Sequence, residues 1–183
     1  MTTPVPVTDP VSDSVADRFV DLDEDSAPSQ ARGTLSRLRS QFGGRLPSVI
    51  GRMAASPTTL RTFLDASAAF ESTSLTPLQR ETVIMTVAVR NGCEVCVQLH
   101  SRKLVAIGAD RRDVDALRAR HELSRPDLLA LQRFTHAVMD TAGAATPAQL
   151  AEFKAAGFRA QQALEVGAYT LSTYANRLTR GTL

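Results

Sequence analysis

Four residues within a span of twenty could do chemistry together: Glu81, Cys93, Cys96 and His100. Cys93 and Cys96 are the only two cysteines and form a CxxC, with the histidine four residues after the second and the glutamate twelve before the first. Two thiols, an imidazole and a carboxylate are the groups needed to make a thiolate, oxidise it and close a disulfide.

Local sequence says how these groups must be held. Asn91-Gly92 is a helix stop. It ends one helix and lets the next begin at Cys93, which places both thiols in a first turn. Unpaired N–H groups and the positive end of the helix dipole lie there, and both favour thiolate over thiol. Cysteines three apart on a helix are close enough for a disulfide, and His100, at four and seven residues, shares their face. Glu81 belongs to the preceding helix, where Met85 and Ala88 fall on its stripe. It is expected to point toward apolar surroundings and could accept a proton there.

Other readings of the same residues stay open. Two cysteines can pack as small hydrophobes. Cys93, Cys96, His100 and Glu81 could hold zinc, although no second CxxC or HxxxH accompanies them. Glu81 could be an exposed first-turn acid complementing a helix dipole. His121 is expected in solvent, His136 packed or at the surface, and Tyr169 and Tyr174 in the core or an interface.

The elements around the motif read as helices throughout. The chain has 183 residues, 43 % hydrophobic and only 5 % aromatic, with no Trp, which fits one domain with a sizeable core. Ser56-Pro57, Thr76-Pro77 and Thr146-Pro147 each pair a capping residue with a proline suited to a first turn. The expected helices are Thr34 to Phe42, two within residues 49–71, Pro77 to about Val89, Cys93 to Ile107, Asp110 to Arg120, Pro126 to about Thr141, a short one after Thr146, and Arg159 to Leu178. In the last, Ala163, Leu164, Val166, Gly167, Leu171 and Tyr174 are spaced to pack inward. No segment alternates like a half-buried strand. The fold class is all-α, with about eight helices.

Charge divides the chain in two. Residues 1–30 carry Asp9, Asp13, Asp17, Asp21, Asp23, Glu24 and Asp25 against Arg18 alone, while residues 31–183 carry the other 20 of 21 basic residues. Residues 1–30 therefore read as an acidic, flexible arm, and residues 31–183 as a single helical domain. The basic residues lack aromatic interleaving, which argues against nucleic-acid binding. No apolar run is long enough for a membrane span, and the N-terminus has no signal-peptide pattern, so a cytoplasmic location is expected. A CxxC there is redox or metal chemistry rather than a structural staple.

Glu81, then Cys93, Cys96 and His100, with NGC at the helix start and HSRKLVAIGAD after it, resembles the carboxymuconolactone decarboxylase superfamily, in its alkylhydroperoxidase D-like, peroxidase-related branch. LTPLQRETVIMTVAVRNGCEVCVQLHS is similar to that branch's core helix pair and ALEVGAYTLSTYANRLTR to its last helix, so the resemblance covers about residues 45–180. It implies an all-helical subunit in dimers, trimers or hexamers and a thiol peroxidase with no bound cofactor. Carried over, Cys96 attacks the hydroperoxide and becomes a sulfenic acid. Cys93 condenses with it, and His100 and Glu81 relay protons. The reductant would be a dithiol partner such as a lipoyl-bearing or thioredoxin-like protein. The best-studied members carry a histidine just before the second cysteine, where this chain has Val95. Two alternatives keep the same residues: a disulfide oxidoreductase or redox sensor exchanging with a dithiol partner, and a zinc-binding protein without activity. Position along the helix suggests that Cys93 is the more exposed thiol, where a bulky dithiol docks. It leaves Cys96 deeper, for the peroxide.

Overall fold

The computed structural model describes residues 19–179. Among them are nine α-helices and no strand: α1 (Ser29–Gln41), α2 (Ser48–Met53), α3 (Pro57–Glu71), α4 (Pro77–Arg90), α5 (Glu94–Ala106), α6 (Arg111–Arg118), α7 (Pro126–Asp140), α8 (Pro147–Ala155) and α9 (Ala160–Leu178). Each segment expected to be helical is one. None is long and apolar enough to cross a membrane.

The starts follow local chemistry. Ser56 accepts a hydrogen bond from the Thr59 N–H, and Thr76 and Thr146 each form a reciprocal capping box with a glutamine three residues on. Each is followed by proline at the first helical position, where a missing N–H costs nothing. Such a cap contributes about 1 kcal/mol.

α4 is the central helix. Every residue from Glu81 to Val89 is buried, because α5, α6, α7 and α3 all pack on it. On one side Val83 and Ile84 join Phe70, Leu131 and Val166, with Phe134, Phe153 and Phe158 stacked in series at ring-centroid separations of 4.3 and 4.4 Å. On the other, Met85 and Val89 meet Leu104, Val114 and Leu117 from α5 and α6. A third cluster joins α1 and α2 to the start of α3 through Leu35, Leu38, Ile50 and Leu60.

Two expectations are corrected here. α1 begins at Ser29, five residues before Thr34, because Ala31, Leu35 and Leu38 make a buried stripe. Residues 1–18 of the acidic arm lie outside the described residues. Its later part touches the body: Asp21 pairs with Arg52 at 2.6 Å, Glu24 with Arg39 at 2.6 Å, and Ala27 is buried. Gly51 lets this strap cross α2, since a Cβ there would lie 2.6 Å from the Leu22 carbonyl oxygen.

The second correction is the facing of α9. Val166 packs inward as expected, but Leu164 is 76 % exposed and Leu171 69 %, and Tyr174 is also exposed. The buried positions are Gln162, Val166, Thr170, Thr173 and Asn176. The threonine hydroxyls satisfy themselves on their own helix, Thr170 donating to the Gly167 carbonyl at 2.9 Å and Thr173 to the Thr170 carbonyl at 2.7 Å. A polar face can therefore pack inward at little cost.

Candidate functional site

α4 and α5 are joined by a single turn that also sets the position of the first thiol. α4 ends at Arg90, Asn91 is its cap, and Gly92 adopts φ +67°. The Gly92 N–H donates to the Val89 carbonyl at 3.1 Å and the Cys93 N–H to the Ala88 carbonyl at 2.9 Å. This pair of bonds is the Schellman closure, which needs a left-handed residue and so selects glycine. Cys93 is simultaneously the N-cap of α5, its carbonyl accepting from the Val97 N–H at 2.8 Å. Cys96 is then the third residue of α5. Its own N–H and those of Glu94 and Val95 are the unpaired donors of the first turn.

Cys93 and Cys96 are joined in a disulfide, with Cα atoms 5.2 Å apart. Cys93 is 7 % exposed and Cys96 is partly exposed. The reverse was expected. The Schellman turn folds Cys93 back beneath the end of α4, whereas Cys96, one turn on, lies nearer the open edge of α5.

His100 Nδ1 lies 2.6 Å from Glu81 Oε2. A carboxylate can only accept, so Nδ1 carries the proton toward Glu81 and Nε2 is left as the ring's second functional nitrogen. Glu81 is 5 % exposed, so it is the buried carboxylate expected and not a solvated first-turn acid. Its other oxygen, Oε1, lies 3.5 Å from Lys103 Nζ. Lys103 also reaches Glu71 Oε1 at 3.3 Å, and Glu71 Oε2 lies 3.5 Å from Arg80 Nε. The carboxylate is thus held between an imidazole and a cation, a charge-assisted arrangement of the stronger kind.

Both cysteines, His100 and Lys103 line one cavity of about 220 Å³, with Glu81 behind His100. The rest of the lining includes the apolar Phe63, Phe70, Ile84 and Val87, and Tyr169, Thr173 and Asn176 from α9. Tyr169 stacks on Phe70 at 4.4 Å. Burial first, then the Glu81 and Glu71 charges, push its phenol well above the usual range, so it is a neutral hydroxyl donor at any physiological pH. A larger depression of about 570 Å³ lies on the opposite side of α5 and holds neither cysteine.

All four residues singled out from the sequence are therefore brought together. Lys103 was not foreseen, although it lies three residues after His100 and seven after Cys96 on the same stripe. Tyr169 was placed in the core or an interface, and its stacking gives it a cavity-lining role as well. Val95 is 63 % exposed and takes no part in the carboxylate–imidazole contact. Among the described residues no group of three or more His, Cys, Asp or Glu is placed to hold a metal ion.

The other histidines stand apart. His121 is exposed. His136 is half-buried, and burial, then the Arg90 charge, lower its pKa, with Asp140 opposing and Arg120 adding to the effect. The unfolded chain therefore takes up this proton first as pH falls below about 6.5. The stability tied to neutral His136 is complete above that pH and is lost as pH falls toward the folded value. Denaturant unfolding from about pH 7.5 to about pH 5.5 should show a smaller loss of stability in His136→Gln than in the parent. Identical slopes would remove His136 as the cause.

Comparison with known proteins adds three findings. Residues 56–124 match the model of the carboxymuconolactone decarboxylase family. No curated protein matches the chain. Among solved structures, the chain is similar to the alkylhydroperoxidase AhpD core of an uncharacterized peroxidase-related protein from Ralstonia eutropha JMP134, with a TM-score of 0.71 and 20 % identity over 89 % of this chain and 88 % of that one.

Proposed function

We propose, from a chain that carries a carboxymuconolactone decarboxylase family segment at residues 56–124 on the AhpD core fold, that this protein is a thiol peroxidase. Cys96 is its attacking thiol and Cys93 its resolving thiol. The observation that supports this best is the 2.6 Å Glu81–His100 contact beside the cavity that both sulfurs line. A proton relay next to a dithiol is what peroxide reduction needs and what a packing role for the cysteines does not.

His100 takes the Cys96 proton, with Glu81 stabilising the imidazolium. The Cys96 thiolate attacks the nearer peroxide oxygen, the O–O bond breaks, and the departing alkoxide takes a proton from His100. Cys96 is left as a sulfenic acid. Cys93 then attacks its sulfur and closes the disulfide, and the departing hydroxide takes the Cys93 thiol proton and leaves as water. No metal or organic cofactor enters this scheme. The apolar part of the cavity suits small organic hydroperoxides as well as hydrogen peroxide. Two electrons from a dithiol protein, of the lipoyl or thioredoxin-like kind, return the pair to the reduced state, in a reducing compartment such as the cytoplasm.

Reduced protein treated with one equivalent of cumene hydroperoxide, alkylated and weighed without reductant tests the reading. Rapid loss of two hydrogens with both thiols blocked to alkylation is expected. Two alkylatable thiols that ignore peroxide would transfer the site to partner exchange, and thiols protected until a chelator is added would transfer it to zinc.

The outward face of α9 supports a homo-oligomer. Leu164, Leu171 and Leu178 recur at seven-residue intervals on the exposed side, with Ala168 between the first two. That is the repeat of a helix–helix seam, and the chain is its own simplest complement. Each leucine left in water forgoes about 1.5–3 kcal/mol of burial. Sedimentation should find a dimer or larger assembly that Leu171→Glu converts to a folded monomer. A wild-type monomer at micromolar concentration would end this assignment.

A further inference from the structure

The peroxide chemistry leaves one group of charges unused. The depression of about 570 Å³ between α5 and α6 is bordered by Arg102, Arg111 and Arg118. A neighbouring one of about 330 Å³ shares Gln98 and Arg118 with it, adds Arg120, and extends to Gly92 and Glu94, which flank Cys93. Together they form a basic track along α5 that reaches the residues on either side of Cys93 in the chain.

These arginines differ from those of the body that are ion-paired. Arg39, Arg52, Arg90, Arg125 and Arg133 each hold a carboxylate. Among the described residues Arg102, Arg111, Arg118 and Arg120 hold none, although Asp115 lines the same depression as three of them. Two are fixed by neutral acceptors instead. Arg118 Nη1 donates to Ser101 Oγ at 3.2 Å and Arg120 Nη2 to the Val89 carbonyl at 2.9 Å. Arg120 does so from a left-handed backbone, φ +61°, at the end of α6, a slot that glycine fills without strain. The arginine there costs about 1–2 kcal/mol. Between this track and Cys96 lies an apolar ridge, Val95 at 63 % and Leu99 at 40 % exposure.

We propose that this face docks the reductant, and that the reductant is a protein dithiol with an acidic surface around its thiols. The proposal rests on the redox reading of the Cys93–Cys96 pair. An exposed apolar centre beside the reacting sulfur, rimmed by unpaired guanidiniums that outnumber the nearby carboxylates Glu94 and Asp115, is the pattern of an electrostatically steered interface. The partner's thiolate attacks the more accessible sulfur, Cys96. The Cys93–Cys96 bond breaks and Cys93 leaves as a thiolate at the start of α5, where free N–H groups receive it. The partner's second thiol, giving up its proton, attacks its own sulfur in the mixed disulfide and frees Cys96. The partner is oxidised by two electrons, and its two protons pass to Cys93 and Cys96.

Two synthetic dithiol peptides, identical except that about four glutamates or four lysines flank the thiols, test this against the oxidised protein, with dithiothreitol as the uncharged control. At about 20 mM salt the acidic peptide should reduce the disulfide at least about tenfold faster, and the gap should close at about 500 mM. Arg102→Ser with Arg111→Ser should erase the preference and leave the dithiothreitol rate unchanged. Arg102→Glu alone, at an exposed residue, lowers the charge by the same two and should erase it equally. Equal rates for the two peptides, or a preference that survives in the variants, overturns the docking surface. A second copy covering this face would slow both peptides alike, which overturns it too. Failure of the peroxidase reading is separate: the peptide preference would persist while cumene hydroperoxide left the thiols reduced.

Discussion

Cys96→Ser should abolish hydroperoxide turnover, while Cys93→Ser should complete one half of a cycle and stop. A serine hydroxyl is not ionised near neutrality and cannot replace a thiolate, so loss of Cys96 removes the attacking group itself. The expected fall is at least about a thousandfold, to the background of free solution. Cys93→Ser keeps the attacking sulfur, His100 and Glu81. It should consume one equivalent of peroxide and accumulate a Cys96 sulfenic acid, detectable by a dimedone adduct. Because Cys93 is buried beneath the end of α4 and Cys96 is not, the two substitutions should also differ in alkylation. The lone Cys96 thiol should label faster than the lone Cys93 thiol. The opposite pattern, with turnover kept in Cys96→Ser and a sulfenic acid on Cys93, would reverse both roles.

Glu81→Gln should slow the oxidative half-reaction by about 10²- to 10⁴-fold, the range for loss of a positioned acid–base group. The replacement has the same shape, so packing in α4 is preserved and the loss is one of charge. Without the carboxylate at 2.6 Å, the imidazolium that forms when His100 takes the thiol proton is no longer stabilised. An amide can present either its oxygen or its NH2 to Nδ1, so the tautomer is no longer fixed. Lys103→Met removes a more distant and more exposed partner, 3.5 Å from Glu81, and should cost less than about tenfold. Peroxide consumption by pre-reduced protein measures both variants against wild type. A Glu81→Gln enzyme within twofold of wild type across pH would leave the relay without its carboxylate.

What could be read from the sequence was local. The caps at Ser56, Thr76 and Thr146 and the stop at Asn91-Gly92 are decided by residues within one turn, and each is where its chemistry places it. Glu81 was legible because it shares a stripe with Met85 and Ala88 on a helix that is buried all round. The facing of α9 was not. Hydrophobic periodicity finds an apolar face but does not say what covers it, and here Thr170 and Thr173 pack inward by bonding their own helix. The start of α1 was hidden by the acidity of the residues before it, which masked the Ala31–Leu35–Leu38 stripe. The relative exposure of the two thiols was hidden as well. Order along a helix does not show that a Schellman turn tucks the first residue under its neighbour. Lys103 belongs to this class: only the pairing of α4 with α5 brings an exposed lysine to a buried glutamate.

The single residue that closes α4 and opens α5 has a consequence for what this chain can tolerate. Loops usually absorb insertions, but between Ala88 and Val97 none is slack, because Cys93 is engaged by one helix through its N–H and by the next through its carbonyl. One added residue after Gly92 would turn all of α5 by about 100° and slide it by about 1.5 Å. His100 would leave Glu81, Lys103 would leave the carboxylate, and the basic track would rotate off its present face. The linker thus acts as a phase lock, so that length variation in relatives of this chain should cluster at the α6–α7 and α7–α8 connections and spare this one.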